Sequence, residues 1–466
     1  MNLLSLSPDI IEEAGEGWLV PAHPRPLRDP PGALRLALMA RRSLISVWTQ
    51  QSYAAQDFAY PLLRRQVCVF NDPASIKAVF VTQAERFERK GAMMRQALSP
   101  LLGDGLFISD GETWRRRRPL VADIVHKSMV PFYAPMMTGA TRELLESWKA
   151  TGTPVSLLPA MAQLTAQIIA RSVFGTRLGD DALTGIVHGF AGYQGRIDSF
   201  NLPYFLGAAD GWKVGRGASI RRSIAEVHGV VDRVITEHLA GRGEHGSMMD
   251  LLVRRMERSP GLGLNVQALR NEAATIFMAG HETTAATLTW AFYLLGKAGW
   301  AEAALHEELD RVLGGRDPTE EDVPRLPYAR AVIEETLRLY PPVPLLPRQA
   351  REATVVGEIE VEKDALVLVV PWLLHRSPDL WEQPMHFRPE RFLGDAAPIP
   401  YSYIPFSAGP RICAGLNFGL TETILCLAMI ARQFRLRLDA GFRADPVCRL
   451  SLRPRAPIMV RLEARA

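Results

Sequence analysis

Four short segments gather residue types that can do chemistry. In the first, Cys413 stands in the loop Phe406-Ser-Ala-Gly409-Pro-Arg411-Ile-Cys413-Ala-Gly415, just before Leu420, Ile424, Leu427, Ala431 and Phe434 recur at helical spacing. A sulfur at a helix N-terminus meets free backbone N–H groups and the positive end of the helix dipole, both of which favour a thiolate. Gly409 and Gly415 are expected to let the backbone approach a flat, bulky group that a Cβ would strike. Three uses stay open: an ordinary buried thiol, a nucleophile, for which no neighbouring His offers a base, and an axial thiolate on heme iron.

The second segment is a polar island, Ala279-Gly-His-Glu-Thr-Thr284, inside the apolar run from Asn271 to Gly299. Polar groups in an apolar helix need partners or a purpose. Gly280 would open room beside the helix, and Glu282 with Thr283 could hold water and relay protons, or all of them could form a satisfied core cluster. The third is Glu335 with Arg338, which share a helix face at i and i+3; on a surface such a pair contributes little. The fourth is Trp114 followed by four arginines, Arg115 to Arg118, which would ordinarily be a solvated basic face.

Helices must position most of these residues. Apolar residues at helical spacing predict a predominantly α region from about Ala74 to Leu313, broken at Gly103–Gly111, Gly175–Asp181, Gly241–Gly246 and Ser259–Gly263. A further helix is predicted from Tyr328 to Tyr340, ended by Pro341-Pro342, and an early one from Ala33 to Gln50. Strands are predicted around Phe58–Phe70, the only early strand region, between Val355 and Val370, and from Cys448 to Leu462. The stretch from Pro371 to Pro410 has too few helical repeats for a helix and too many aromatics for a solvated linker. It must pack on something. No break in composition marks a linker, so residues 1–466 read as one mainly α domain with a small β region, the first 50 or so packed on it.

Composition narrows the function. Of 466 residues 47% are apolar, enough for a large core, which excludes a disordered or fibrous chain. Basic residues exceed acidic ones by only 54 to 50, so no nucleic-acid or membrane-surface partner is expected. Four cysteines without a CxxC pair suit a reducing compartment, and Cys68, Cys426 and Cys448 read as core thiols. Asp9, Glu12 and Glu13 sit where an export signal would be basic and apolar, and apolar runs such as Ala365–Leu374 fall short of the roughly 20 residues of a membrane span. A cytoplasmic protein without a transmembrane segment is expected.

On these residues the sequence resembles the heme-thiolate monooxygenases, the cytochrome P-450 superfamily. Its heme-binding signature, F-x-x-G-x-R-x-C-x-G, is matched by Phe406, Gly409, Arg411, Cys413 and Gly415. Three further family motifs occur in family order, and the resemblance spans roughly Gly103 to Pro454. It implies heme b between the long central helix and the cysteine-loop helix, with Cys413 as the axial ligand. Glu282 and Thr283 fall on the acid and alcohol of [AG]-G-x-[DE]-T, which implies oxygen handling and proton delivery, while His281 holds the variable position. The E-x-x-R motif implies a buried network of Glu335, Arg338 and Arg391 that fixes the Pro-dotted stretch and thereby the cysteine loop. W-x-x-x-R implies Trp114 and Arg118 on a heme propionate, joined by Arg348 and Arg411.

The resemblance also implies the reaction: insertion of one oxygen atom from O2 into an apolar substrate, by hydroxylation or epoxidation. With no dinucleotide fingerprint in these residues, electrons are expected from NAD(P)H indirectly, through an acidic ferredoxin and its reductase. Docking would use outward members of Arg115 to Arg117, with Arg432 and Arg435. Phe107, Ala279, Val343, Leu345, Leu450 and Ser451 are expected to line the substrate pocket, suited to a terpenoid, steroid, fatty acyl or aromatic molecule. Two other functions compete: a peroxide-dependent peroxygenase or rearranging enzyme, against which Glu282 and Thr283 argue, and a non-catalytic heme sensor or carrier.

Overall fold

The apolar run around Asn271–Gly299 becomes the longest helix, Val266–Lys297, capped where the Asn265 side chain accepts from the Ala268 N–H at 2.8 Å. In this computed structural model, which describes residues 9–151, 154–176, 179–194, 202–207, 217–258, 264–394 and 397–465, that helix is central. Because it is apolar almost all round, it can be covered on every side. Helices Leu157–Phe174, Ala218–Leu239, Pro327–Leu339 and Leu416–Gln433 all pack against it.

Leu157–Phe174 is long and apolar enough to cross a membrane by composition alone, contrary to the sequence expectation. Yet 61% of its residues are buried inside the protein, where it packs along the central helix.

The strands form small separate sheets. Asp57–Leu62, Arg65–Phe70, Leu366–Val369 and Leu346–Gln349 form a four-stranded sheet in that order, its two middle strands parallel. Thr354–Val356 pairs with Ile359–Val361 across Gly357, whose φ of +58° suits glycine. Pro446–Cys448 and Leu452–Pro454 form a hairpin, and Phe434–Leu438 pairs with Met459–Ala464. Phe434 therefore opens a strand instead of closing the cysteine helix.

Two early expectations change. The predicted Ala33–Gln50 helix stops at Arg42, because Ser43 is extended and its hydroxyl accepts from the Cys448 N–H at 3.2 Å; a separate turn, Gln50–Ala54, starts at the Thr49 cap. The Phe58–Phe70 hairpin is present but not the first: Ile10–Gly15 pairs with Trp18–Pro24. Its first strand is largely exposed, so the alternation that marks a half-buried strand is weak there. The predicted break at Ser259–Gly263 lies outside the described residues.

From Pro371 to Pro410 the backbone is mostly irregular, with single turns at Pro371–Leu374, Pro389–Phe392 and Gly409–Arg411. It packs on the Pro327–Leu339 helix, as its aromatics required.

Candidate active site

Between the central helix and the cysteine loop lies a mostly apolar cavity of about 1900 Å³, its open mouth included. The loop itself is set by backbone bonds, Cys413 N–H to the Phe406 carbonyl at 2.9 Å and Ile412 N–H to the Gly409 carbonyl at 3.0 Å. Phe406, Cys413 and Gly415 line the cavity. A Cβ on Gly415 would meet nothing within 4 Å, which leaves space for a flat group against that backbone.

Gly409 does something else. It does not line the cavity; with φ at +68°, its missing Cβ would sit 2.0 Å from the Phe80 carbonyl oxygen. This glycine clamps the loop onto the Ala78–Thr82 turn and does not make room for a ligand.

Cys413 is exposed on its cavity side. Surrounding protein raises its thiol pKa, against the opposing pull of the Gly415 backbone, Arg118 and Lys90. The Gly415 backbone at the helix end favours the charged sulfur, as the sequence suggested, and burial works against it.

Positive charge converges on the same cavity. Arg118, Arg348 and Arg411 line it with Trp114, and Arg411 stacks over the Trp114 ring at 4.5 Å. Arg118 donates to the Ile412 carbonyl at 2.7 Å, Arg411 to the Ser109 carbonyl at 2.9 Å, and Arg348 lies 4.8 Å over Phe80. Sequence reasoning missed a fourth cation, Lys90, buried in the wall with its ammonium 4.8 Å over Phe107. Burial lowers the pKa of all four. None has a carboxylate within ion-pair distance among the described residues, an unusual state for charges that are buried, as on Lys90 and Arg348, or half-buried, as on Arg118 and Arg411, and one that the two carboxylates of a heme would satisfy. The residues present therefore fit heme.

On the opposite wall the central helix presents Ala279, Glu282 and Thr283. The Thr283 hydroxyl donates to the Ala279 carbonyl at 2.7 Å, and Glu282 accepts a hydrogen bond from Ser451. Beside Gly280 the room is taken by Ile169, whose Cδ1 lies 2.8 Å from where a Cβ would be. His281 faces away into the core against Phe277, and burial lowers its pKa to about 4. Phe107, Val343, Leu345, Leu450 and Ser451 all line the cavity.

A second residue escaped the sequence reading. Glu422, fully buried on the cysteine helix, accepts from the Thr284 hydroxyl at 3.3 Å, and burial holds its pKa well above the carboxylate range. A lone acid in an apolar helix was the available signal.

Behind the loop, Glu335 accepts from Arg338 at 2.7 and 2.8 Å, from Arg391 at 3.1 Å and from the Arg388 N–H at 2.8 Å. Arg338 donates onward to the carbonyls of His375, Pro384 and His386. His375 in turn accepts from the Ile404 N–H at 3.0 Å, two residues before Phe406.

The expected docking arginines are largely engaged within the chain. Arg117 is buried against Asp104 and Glu272, because four consecutive helical residues exceed one turn and one must face inward. Arg115 and Arg116 face Glu88 and Glu112, Arg432 binds Asp317, and Arg435 lies 3.9 Å from Glu302.

The family model described as Cytochrome P450 matches residues 43–461, and the chain belongs to that family. It is 35% identical over 370 residues to cyclooctatin synthase of Streptomyces melanosporofaciens, covering 78% of this chain and 79% of that one. It is 32% identical over 354 residues to cyclooctat-9-en-7-ol 5-monooxygenase of the same organism, covering 76% of each. The crystal structure of the cytochrome P450DA heme domain shares the fold, with a TM-score of 0.77 at 24% identity over 94% of this chain and 93% of that one. The protein is accordingly an oxidoreductase of the monooxygenase type, and its family carries heme on a cysteine thiolate.

Proposed function

We propose that this enzyme inserts one oxygen atom from O2 into a large, apolar, ring-bearing molecule, with Cys413 as the thiolate that holds heme b. The single observation that carries the proposal is one cavity in which Cys413 and four cations, Lys90 and Arg348 buried and Arg118 and Arg411 half-buried, stand across from Glu282 and Thr283 with no carboxylate at ion-pair distance among the described residues. A thiolate-ligated heme, when bound, supplies an oxidant able to attack unactivated C–H bonds. Lys90, Arg118, Arg348 and Arg411 bind its two carboxylates, and Trp114 braces Arg411. Thr283 positions oxygen-side water, and Glu282 passes protons toward it. Glu335, Arg338 and Arg391 hold the irregular stretch behind Cys413.

The substrate class follows from the wall. Phe107, Ala279, Val343, Leu345 and Leu450 offer apolar contact and little polar recognition. A second apolar space of about 980 Å³, lined by Leu36, Trp48, Tyr60 and Phe205, shares Met94, Leu345, Pro347 and Leu450 with the first. One relative is named for an oxidation of cyclooctat-9-en-7-ol, which favours a cyclic alkenol or hydrocarbon over a fatty acyl chain. Electrons are proposed to come from NAD(P)H through a separate ferredoxin and reductase, and the enzyme to act in the cytoplasm.

The test is turnover by purified protein with a surrogate ferredoxin system and a panel of cyclic apolar compounds. A substrate-induced spin change with NAD(P)H-dependent oxygenated product supports the proposal. Product with peroxide alone, or no sulfur-type absorption of the reduced carbonyl form, overturns it.

A further inference from the structure

The turn Arg449–Ser451 joins the strands Pro446–Cys448 and Leu452–Pro454, and it is anchored from three directions. Leu452 N–H donates to the Pro342 carbonyl at 2.9 Å, the Trp290 indole of the central helix donates to the Leu452 carbonyl at 3.1 Å, and Leu44 N–H donates to the Cys448 carbonyl at 2.8 Å. From this fixed frame the Ser451 hydroxyl donates to Glu282 Oε1. Ser451 is 6% exposed and lines the cavity, with its hydroxyl bonded to the carboxylate. Thr283, one residue on, is held differently, by its own helix at the Ala279 carbonyl. The acid and the alcohol thus take different hydrogen bonds, and the one from Ser451 to the acid comes from the turn that also presents Leu450 to the cavity.

We infer that Ser451 is a positioning residue for Glu282, fixing the carboxylate at the C-terminal turn and setting the pH at which it exchanges protons. The inference rests on the proton-delivery reading of Glu282. A hydroxyl donating to a carboxylate favours the charged form, so losing it moves the acid's titration upward, by about one pH unit for a hydrogen bond of ordinary strength.

The experiment compares Ser451→Ala, Ser451→Cys and Ser451→Thr with Glu282→Gln as heme-loaded enzymes. The Ala and Cys variants should move the acidic limb of the pH profile up by about one unit and lower product per NAD(P)H several-fold. In their reduced carbonyl forms the infrared C–O band should broaden or split as the carboxylate loses its place, and Ser451→Thr should restore a single band and the original limb. An unmoved limb together with an unchanged C–O band in both hydroxyl-free variants overturns the role of Ser451. If Glu282→Gln keeps the acidic limb and normal product yield, the proton-delivery reading fails instead, and the two failures are told apart.

Discussion

Replacing Glu335 with Ala or Gln perturbs the most completely buried charge network in the described residues around the site. Glu335 and Arg338 are each 0% exposed, so solvent screens neither. The carboxylate accepts four hydrogen bonds, and Arg338 spends its remaining donors on the carbonyls of His375, Pro384 and His386. Removing the acid leaves a buried guanidinium without its counter-charge, a change that costs about 3–5 kcal/mol, against a total folding stability of about 5–15 kcal/mol. The loss falls on one path: Arg338 holds His375, His375 holds the Ile404 N–H, and Ile404 leads into the cysteine loop. Urea unfolding followed by circular dichroism should show that drop, and heme per polypeptide in freshly purified protein should fall severalfold. Arg338→Lys should do nearly as much damage, since an ammonium cannot span the same five acceptors. A loss below about 1 kcal/mol with normal heme content would refute the assignment of this network as the brace of the loop.

Four other outcomes are expected. Gly409→Ala forces a Cβ onto the Phe80 carbonyl at a φ of +68° and should destabilise the loop by about 2 kcal/mol or more, read as lowered thermal midpoint and heme retention; unchanged values would reject the clamp. Thr283→Ala should keep heme yet divert reducing equivalents to hydrogen peroxide, measured as peroxide formed per NAD(P)H consumed; tight coupling would reject its role. Lys90→Ala combined with Arg348→Ala should speed heme transfer to apomyoglobin at least tenfold, and an unchanged rate would remove both from the propionate set. Burial lowers the pKa of His23 and His281 to about 4 and of His375 to about 3. Since the unfolded chain then binds more protons, stability is intact above about pH 6.5 and falls on acidification, by about 2 kcal/mol per histidine at pH 5. Equal denaturation midpoints at pH 7 and pH 5 would contradict this.

The helical frame was legible because its signals are local. The central helix and the Pro327–Leu339 helix follow from apolar period, an Asn cap and a Pro-Pro stop. Much of the site was legible for a related reason: Cys413, Thr283 and Arg338 lie in motifs whose spacing travels with the chain. What stayed hidden depends on distant partners. Nothing near Lys90 announces that Arg348 will lie beside it, 258 residues on in the chain, through a single β-bridge. Gly409 looked like ligand space because sequence does not reveal that Phe80 fills it. The arginine run looked like a docking face because the acids that neutralise it, Glu88 and Glu272 among them, come from other elements.

The stitching of the chain's beginning to its end bears on how the protein is made. Glu12 bonds Tyr293 and Lys297, the Leu19 and Ala22 carbonyls accept from Phe387 and Tyr340, and Arg443 reaches back to the Ile10 carbonyl. A ribosome therefore releases the N-terminal hairpin long before any of these partners exist, and the hairpin cannot begin to dock until the central helix has been made. The cysteine loop also emerges late. Capture of the prosthetic group thus waits for Cys413, whereas most partners of the N-terminal hairpin, Tyr293 to Phe387, precede it in the chain.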